Sequence, residues 1–201
     1  MLIRRLLLLG TAAMLSVSAF AAKIEEAAPT FTLQNSMGET VSLDDYKGKY
    51  VILEWTNHLC PYVVKHYGSD NMQDMQRDYG DEEVVWLSII SSAPGKQGYV
   101  TADEANELTE TREAAPKHVL FDPEGTVGKM YQAKTTPHMY IIDPEGDLRY
   151  AGAIDSIKSA NPTDIPKAVN YVVEGMKALM AGNSPEKTLT PPYGCSIKYK
   201  S

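Results

Sequence analysis

Cysteine is scarce in this chain of 201 residues: Cys60 and Cys195 are the only two. Two thiols cannot assemble a tetrathiolate zinc site, an all-cysteine cluster or a disulfide-rich framework, but they can make one redox pair. A Cys-x-x-Cys motif is missing as well, because Val63 stands three residues after Cys60. Basic excess is also absent. Lys and Arg number 19 against 26 Asp and Glu, a formal net charge of −7, and such a surface repels phosphate, which argues against a general nucleic-acid binder. Gly125 and Gly128 carry no phosphate-loop pattern around them and read as turn residues. Asp-Pro-Glu-Gly occurs at 122–125 and again at 143–146, but nothing around the two copies repeats at a solenoid period. What is present is ordinary globular material: 43% hydrophobic and 22% charged residues permit a buried core and argue against disorder.

The N-terminus reads as an address. Arg4 and Arg5 precede an apolar stretch from Leu6 to about Phe20, and Ala19-Phe20-Ala21 supplies small residues at a signal-peptidase site. The expectation is a signal peptide over 1–21, cleaved before Ala22, rather than an uncleaved membrane anchor. The mature protein is then exported, periplasmic in a Gram-negative bacterium, with no stable membrane anchor. A short acidic linker over 22–30, a domain over 31–181 and a tail over 182–201 complete the expected organisation.

Strands and helices alternate through 31–181. Phe31–Leu33 and Glu39–Val41 flank a turn at Ser36-Met37-Gly38, and Ser42 with Asp45 can cap a short helical turn. Tyr50–Trp55 and Val84–Ile90 are apolar at nearly every position, the pattern of central strands buried on both faces. A helix is expected from Pro61 through Tyr79, with Asp70, Asp74 and Asp78 on its solvated face. A second begins at the Thr101–Glu104 capping pair, and its thin apolar stripe marks it as an external insertion. Val119–Phe121, Met139–Ile142 and Arg149–Gly152 read as short strands. A last amphipathic helix starts near Asp164 or Ile165 and ends at Gly182. The pattern is that of an α/β fold, a mixed β-sheet flanked by helices, with an inserted helix and a C-terminal proline-rich tail.

Cys60 carries the chemistry. It follows a buried strand and stands where a helix should start, with Pro61 suited to the first turn. Unpaired amides and the positive helix end should lower its pKa, and the loop should leave it within reach of substrate. The alternative is an inert core cysteine. Cys195, 135 positions further on, is the one internal thiol that could resolve an oxidised Cys60, if a flexible tail carries it back. A redox pair, a purely structural bridge and no bridge all remain open at this point. Thr136-Pro137, directly before a strand, is a candidate cis-proline.

Trp55, Asn57-His58-Leu59-Cys60-Pro61-Tyr62-Val63, Thr136-Pro137 and Tyr140-Ile141-Ile142-Asp143-Pro144-Glu145-Gly146 together resemble the thioredoxin-like superfamily. Within it the chain is similar to exported redoxin-type proteins of the alkyl hydroperoxide reductase and thiol-specific antioxidant (AhpC/TSA) branch. The likeness runs from about Phe31 to Met180, and Pro192-Tyr193-Gly194-Cys195 resembles a tail found there. The resemblance implies a thioredoxin-like fold with Cys60 at the start of the first main helix. It also implies that Thr136-Pro137 faces Cys60 as a loop whose backbone can pair with a substrate chain. An exported, peroxiredoxin-like thiol oxidoreductase follows, acting on peroxide or on a protein or small-molecule disulfide and served by an exported thiol reductant, with no cofactor. Two departures stand against a narrower assignment: Val63 replaces the second cysteine of a disulfide reductase, and Leu53 and Asn57 occupy the Pro and Thr places of the peroxiredoxin Pro-x-x-x-Thr-x-x-Cys pattern.

His58 and His138 could stabilise the thiolate or relay a proton. Glu54, odd in an apolar strand, could accept a hydrogen bond beneath the cysteine turn or face solvent. Asn57, Pro61 and Tyr62 are expected to line the site. Other functions remain possible: copper or another soft metal held by His58, Cys60 and His138, with His66 less suited, or a noncatalytic binding domain.

Overall fold

A computed structural model describes residues 21–80 and 83–201, so the expected signal segment, save Ala21, lies outside the described residues. Seven strands form one mixed sheet: β1 Thr32–Asn35, β2 Thr40–Ser42, β3 Tyr50–Trp55, β4 Val84–Ile90, β5 His118–Phe121, β7 His138–Ile142 and β8 Leu148–Gly152. Their order is β2-β1-β5-β4-β3-β7-β8, with β3–β4 and β4–β5 parallel and the remaining pairs antiparallel. The two most apolar segments are thus the centre of the sheet. Val51, Leu53 and Trp55 join one buried cluster with Leu87 and Ile89, whereas Ile52 and Trp86 join the other. Both faces are covered, so the two-residue alternation of a strand is hidden in the hydropathy.

The helices are α1 Pro61–Tyr67, α2 Asn71–Asp78, α3 Ala102–Thr111, α4 Thr126–Met130 and α5 Tyr171–Met180. Two of the expected helices are broken. The run from Pro61 to Tyr79 is divided at Gly68–Asp70, where Asp70 takes a positive φ of 58° and becomes the N-cap of α2. The last helix is divided too. Pro162–Lys167 is a 3-10 segment with Pro166 inside it, and α5 starts afresh at Tyr171 with the Asn170 side chain accepting from the amides of Val172 and Val173. A proline has no amide to donate and disfavours helix at the residue before it, so the apolar spacing there ran ahead of what the backbone allows. Val169, placed on the buried face by that spacing, is 53% exposed.

α3 is external as expected: its Thr101–Glu104 capping box is complete and only Ala105 is buried. α4 was not anticipated, and a buried carboxylate explains it. Asp122, the first residue of one Asp-Pro-Glu-Gly turn, accepts from the amides of Val127 and Gly128 and from Ser91 Oγ, which in turn accepts from Trp55 Nε1. One side chain therefore starts α4 and joins it to the ends of β3, β4 and β5. Residues 22–30, read as a linker, lie along the sheet: the amides of Glu25 and Ala28 donate to Leu148 and Gly146, and Ala22 and Ala28 are buried.

Two further strands complete the fold. β6 Thr135–Thr136 and β9 Cys195–Ser196 pair antiparallel, Thr136 opposite Cys195 and Thr135 opposite Ser196. The tail is consequently docked rather than free. Asp122→Ala is expected to lower the unfolding free energy by about 3 kcal/mol in denaturant titration, because several buried donors lose their acceptor at once.

Candidate functional site

The site is built where four segments meet. β3 ends at Trp55, and the loop after it is shaped by Asn57, whose Oδ1 accepts from the Leu59 amide while its backbone carbonyl accepts from the Cys60 amide. Asn57 is buried against Gly98, which has a φ of 85°; a Cβ at that position would stand 2.3 Å from Asn57 Cγ. Cys60 is the N-cap of α1 with extended backbone, and Pro61 opens the helix. The Thr136–Pro137 bond is cis. Cys60 Sγ donates to the Thr136 carbonyl at 3.0 Å, and Cys195 on the tail comes against the same sulfur.

Contrary to the expectation of an open loop, the Cys60 side chain is fully buried, since the docked tail lies against it; Cys195 is half-buried. Both are free thiols. Burial is the largest single influence on Cys60 and works against its thiolate. The Cys195 thiol, the Thr136 hydroxyl and the amides of Val63 and Cys195 together outweigh it and hold Cys60 below the ordinary cysteine value. Cys195 moves the other way, pushed up to about 11 by burial, by donating to Cys60 and by the charge there. The two thiols are thus shifted in opposite directions, Cys60 the more acidic and Cys195 the less.

The other expected site residues fall into two groups. Tyr62 is half-buried beside the site, its ring edge-on to Tyr193 at 5.6 Å. His58 is half-buried; burial and the neighbouring Arg112, which donates to its carbonyl, lower its pKa. His138 turns inward, with Nδ1 accepting from the Lys134 amide and bonded to Tyr140, and burial lowers its pKa to about 3. Glu54 is fully buried on the Cys60 side of the sheet, where Trp86, Ser88, Tyr67 and Gln76 donate to its carboxylate. Burial raises its pKa. Those donors occupy it, so it does not face solvent. Among the described residues no three His, Cys, Asp or Glu side chains gather as a metal site, so the His58–Cys60–His138 ligand set does not assemble.

Residues 24–151 match the AhpC/TSA family. The chain belongs to that family. Its thioredoxin-like fold is shared with an uncharacterized conserved protein from Geobacillus kaustophilus, at a TM-score of 0.77 and 26% identity over 89% of this chain and 93% of that one. Two curated Bacillus subtilis proteins are similar to this AhpC/TSA member. The thioredoxin-like protein YneN is 28% identical over 61% of this chain and 66% of its own length. The thiol-disulfide oxidoreductase ResA is 26% identical over 58% of this chain and 74% of its own. The family match ends at 151 and therefore leaves out Asp155 and the whole tail.

Sequence reasoning missed a second cluster, behind α1. Lys65 and Asp155, both buried, form an ion pair of 3.1 Å; the Tyr193 hydroxyl donates to the other Asp155 oxygen, and His66 Nε2 lies 3.7 Å from the carboxylate. Lys65 and His66 sat in a segment that the apolar spacing explained, and Asp155 in a loop without pattern. The Pro-Tyr-Gly-Cys tail was the one available signal.

A titration of ultraviolet thiolate absorbance tests the pair directly. Because the Cys60 pKa is depressed, one thiolate should form below the ordinary value of about 8.5 and be lost only as pH falls through the lower folded value. Cys195→Ala removes a donor to that thiolate and should move the first midpoint up by about one unit. An unmoved midpoint would mean that Cys195 does not hold the charge.

Proposed function

We propose that this chain is a thiol–disulfide oxidoreductase, with Cys60 as nucleophile and Cys195 as resolving thiol. The observation that carries the reading is the opposed acidity of two sulfurs in contact: the buried one is held below the ordinary cysteine value and the one on the tail is pushed up to about 11. The names of the similar proteins, a thioredoxin-like protein and a thiol-disulfide oxidoreductase, support the same chemistry.

The Cys60 thiolate attacks one sulfur of a substrate disulfide. The substrate S–S bond breaks, a mixed disulfide forms at Cys60, and one substrate thiolate leaves and takes up a proton. Cys195 loses its proton and attacks Cys60 Sγ, releasing the second substrate thiolate and closing a Cys60–Cys195 disulfide. The substrate gains two electrons and the protein loses two; an external dithiol restores the reduced pair. Thr136 and the amides of Val63 and Cys195 hold the charge on Cys60 whenever it is the thiolate. Asn57 and Gly98 keep the loop in shape, and Tyr62 borders the approach. A disulfide suits the site better than a peroxide, since Leu53 and Asn57 stand where a peroxide-orienting proline and threonine would be. An exported location, carried by the expected signal segment, fits a pair that must be able to persist as a disulfide.

Reduced protein treated with one equivalent of oxidised glutathione should yield a Cys60–Cys195 disulfide by peptide mapping. Cys195→Ser should stall as a glutathione adduct on Cys60, and Cys60→Ser should lose at least a hundredfold in rate, the range of a missing activated nucleophile. Turnover by Cys195→Ser at the wild-type rate would remove the resolving role. Faster closure with hydrogen peroxide than with glutathione disulfide would reassign the oxidant.

A further inference from the structure

One feature of the reduced site has no part in that chemistry: it is shut. Cys60 is fully buried, and what lies against its sulfur on the tail side is a strand of two residues. That strand occupies the backbone of β6 at the residue whose carbonyl accepts from Cys60. A polypeptide presenting a disulfide to Cys60 would lie along this same backbone, because an unpaired strand edge takes an extended chain by adding it as a strand. In the reduced protein the edge is already filled by residues of the same chain.

On its far side the strand is held by the Ile197 amide, which donates to the Lys134 carbonyl, and by the Lys198 carbonyl, which accepts from the Ala93 amide. From 181 to 201 the tail is mostly exposed or half-exposed, with Pro185, Thr190, Tyr193 and Ile197 buried. On the near side, two residues before the cysteine, the attachment is Tyr193, whose hydroxyl donates to Asp155. Asp155 is itself anchored by Lys65, on the helix that Cys60 starts, and by the Ile157 amide. Gly194 lies flat on β6 with a φ of 139°, where a Cβ would stand 2.0 Å from the Thr136 carbonyl oxygen.

We propose that the Asp155–Tyr193 bond is a latch that holds residues 193–197 as a displaceable strand on β6, so that a polypeptide disulfide reaches Cys60 only when this strand lifts. The proposal rests on Cys60 being the reacting thiol and adds a substrate gate to it. Asp155 and Tyr193 are positioning residues: neither meets the reacting sulfur, and both act through the place of Cys195. Releasing the strand frees the edge and removes a thiol and an amide from Cys60, leaving the central sheet intact.

The test uses reduced protein in a Cys195→Ser background, so that Cys60 is the single thiol, and a polyethylene-glycol maleimide as a bulky probe. The labelling rate is divided by the thiolate fraction read from ultraviolet absorbance, which separates access from acidity. Tyr193→Phe removes the latch hydroxyl, and Gly194→Ala pushes the strand off β6 without touching Asp155. Each should raise the corrected rate roughly tenfold, as expected for losing one hydrogen bond to a buried charge. Unchanged corrected rates in both variants, each with a wild-type circular dichroism spectrum, would overturn the latch; if one variant fails to fold, the other decides. The measurement needs no redox turnover. Loss of glutathione-driven disulfide closure in the wild type would sink the oxidoreductase reading, and an unmoved labelling rate would sink the latch alone.

Discussion

Everything at this site depends on lowering the pKa of a thiol that lies inside the protein. Burial alone would return the proton to Cys60, and a buried unpaired charge is among the costliest things a fold can hold. The solution is a set of donors drawn from distant parts of the chain: the Val63 amide from α1, the Thr136 hydroxyl from β6, and a thiol and an amide from Cys195 on β9. No single segment could supply them. The pairing of β6 with β9 is therefore part of the electrostatics of Cys60 as well as of its covering.

The same constraint accounts for how the tail is fastened. A short strand with two paired positions carries little stability of its own. It is backed on one side by Tyr193 at the Lys65–Asp155 pair and on the other by Ile197, whose amide donates to the Lys134 carbonyl. Further on, the Tyr199 hydroxyl donates to the Ala133 carbonyl and its ring packs over Gly125 and Gly128, so those two glycines serve to seat the tail. Cys195 is held between two anchored aromatic residues. This is how a thiol 135 positions away can do locally what a second cysteine at 63 would do within one helical turn.

Much of this was legible in the residues, and the limits are physical. Tyr50–Trp55 was readable to the residue because an uninterrupted apolar run after a glycine-containing turn has few other uses. The position of Cys60, between that strand and Pro61, was readable because a helix start has a chemical signature of its own. The breaks at Asp70 and Pro166 were not anticipated, because apolar spacing continues across them and only backbone preference marks the stop. Glu54 shows a further limit: an acid in an apolar strand signals an unusual role, but whether it faces solvent or four buried donors depends on Trp86, Ser88, Tyr67 and Gln76, all distant in sequence. The docking of the tail was beyond local reasoning altogether. Its proline content and lack of regular periodicity look like flexibility until β6 offers an edge to pair with.

Closing the pair into a disulfide would change what the tail can do. A bond between Cys60 and Cys195 encloses about 135 residues, and in the chain-entropy treatment such a crosslink disfavours the unfolded state by roughly 5 kcal/mol. The oxidised form would be the more stable one, with β9 unable to leave β6. A reductant then meets a shut edge and must reach the disulfide from outside. Of the two sulfurs the half-buried Cys195 is the one it can approach, and attack there expels Cys60, the sulfur whose thiolate the fold stabilises. A thiol of lower pKa is the better leaving group. The asymmetry in burial and the asymmetry in acidity thus favour the same direction: oxidising equivalents enter through Cys60 with the tail lifted, and reducing equivalents enter through Cys195 with the tail in place.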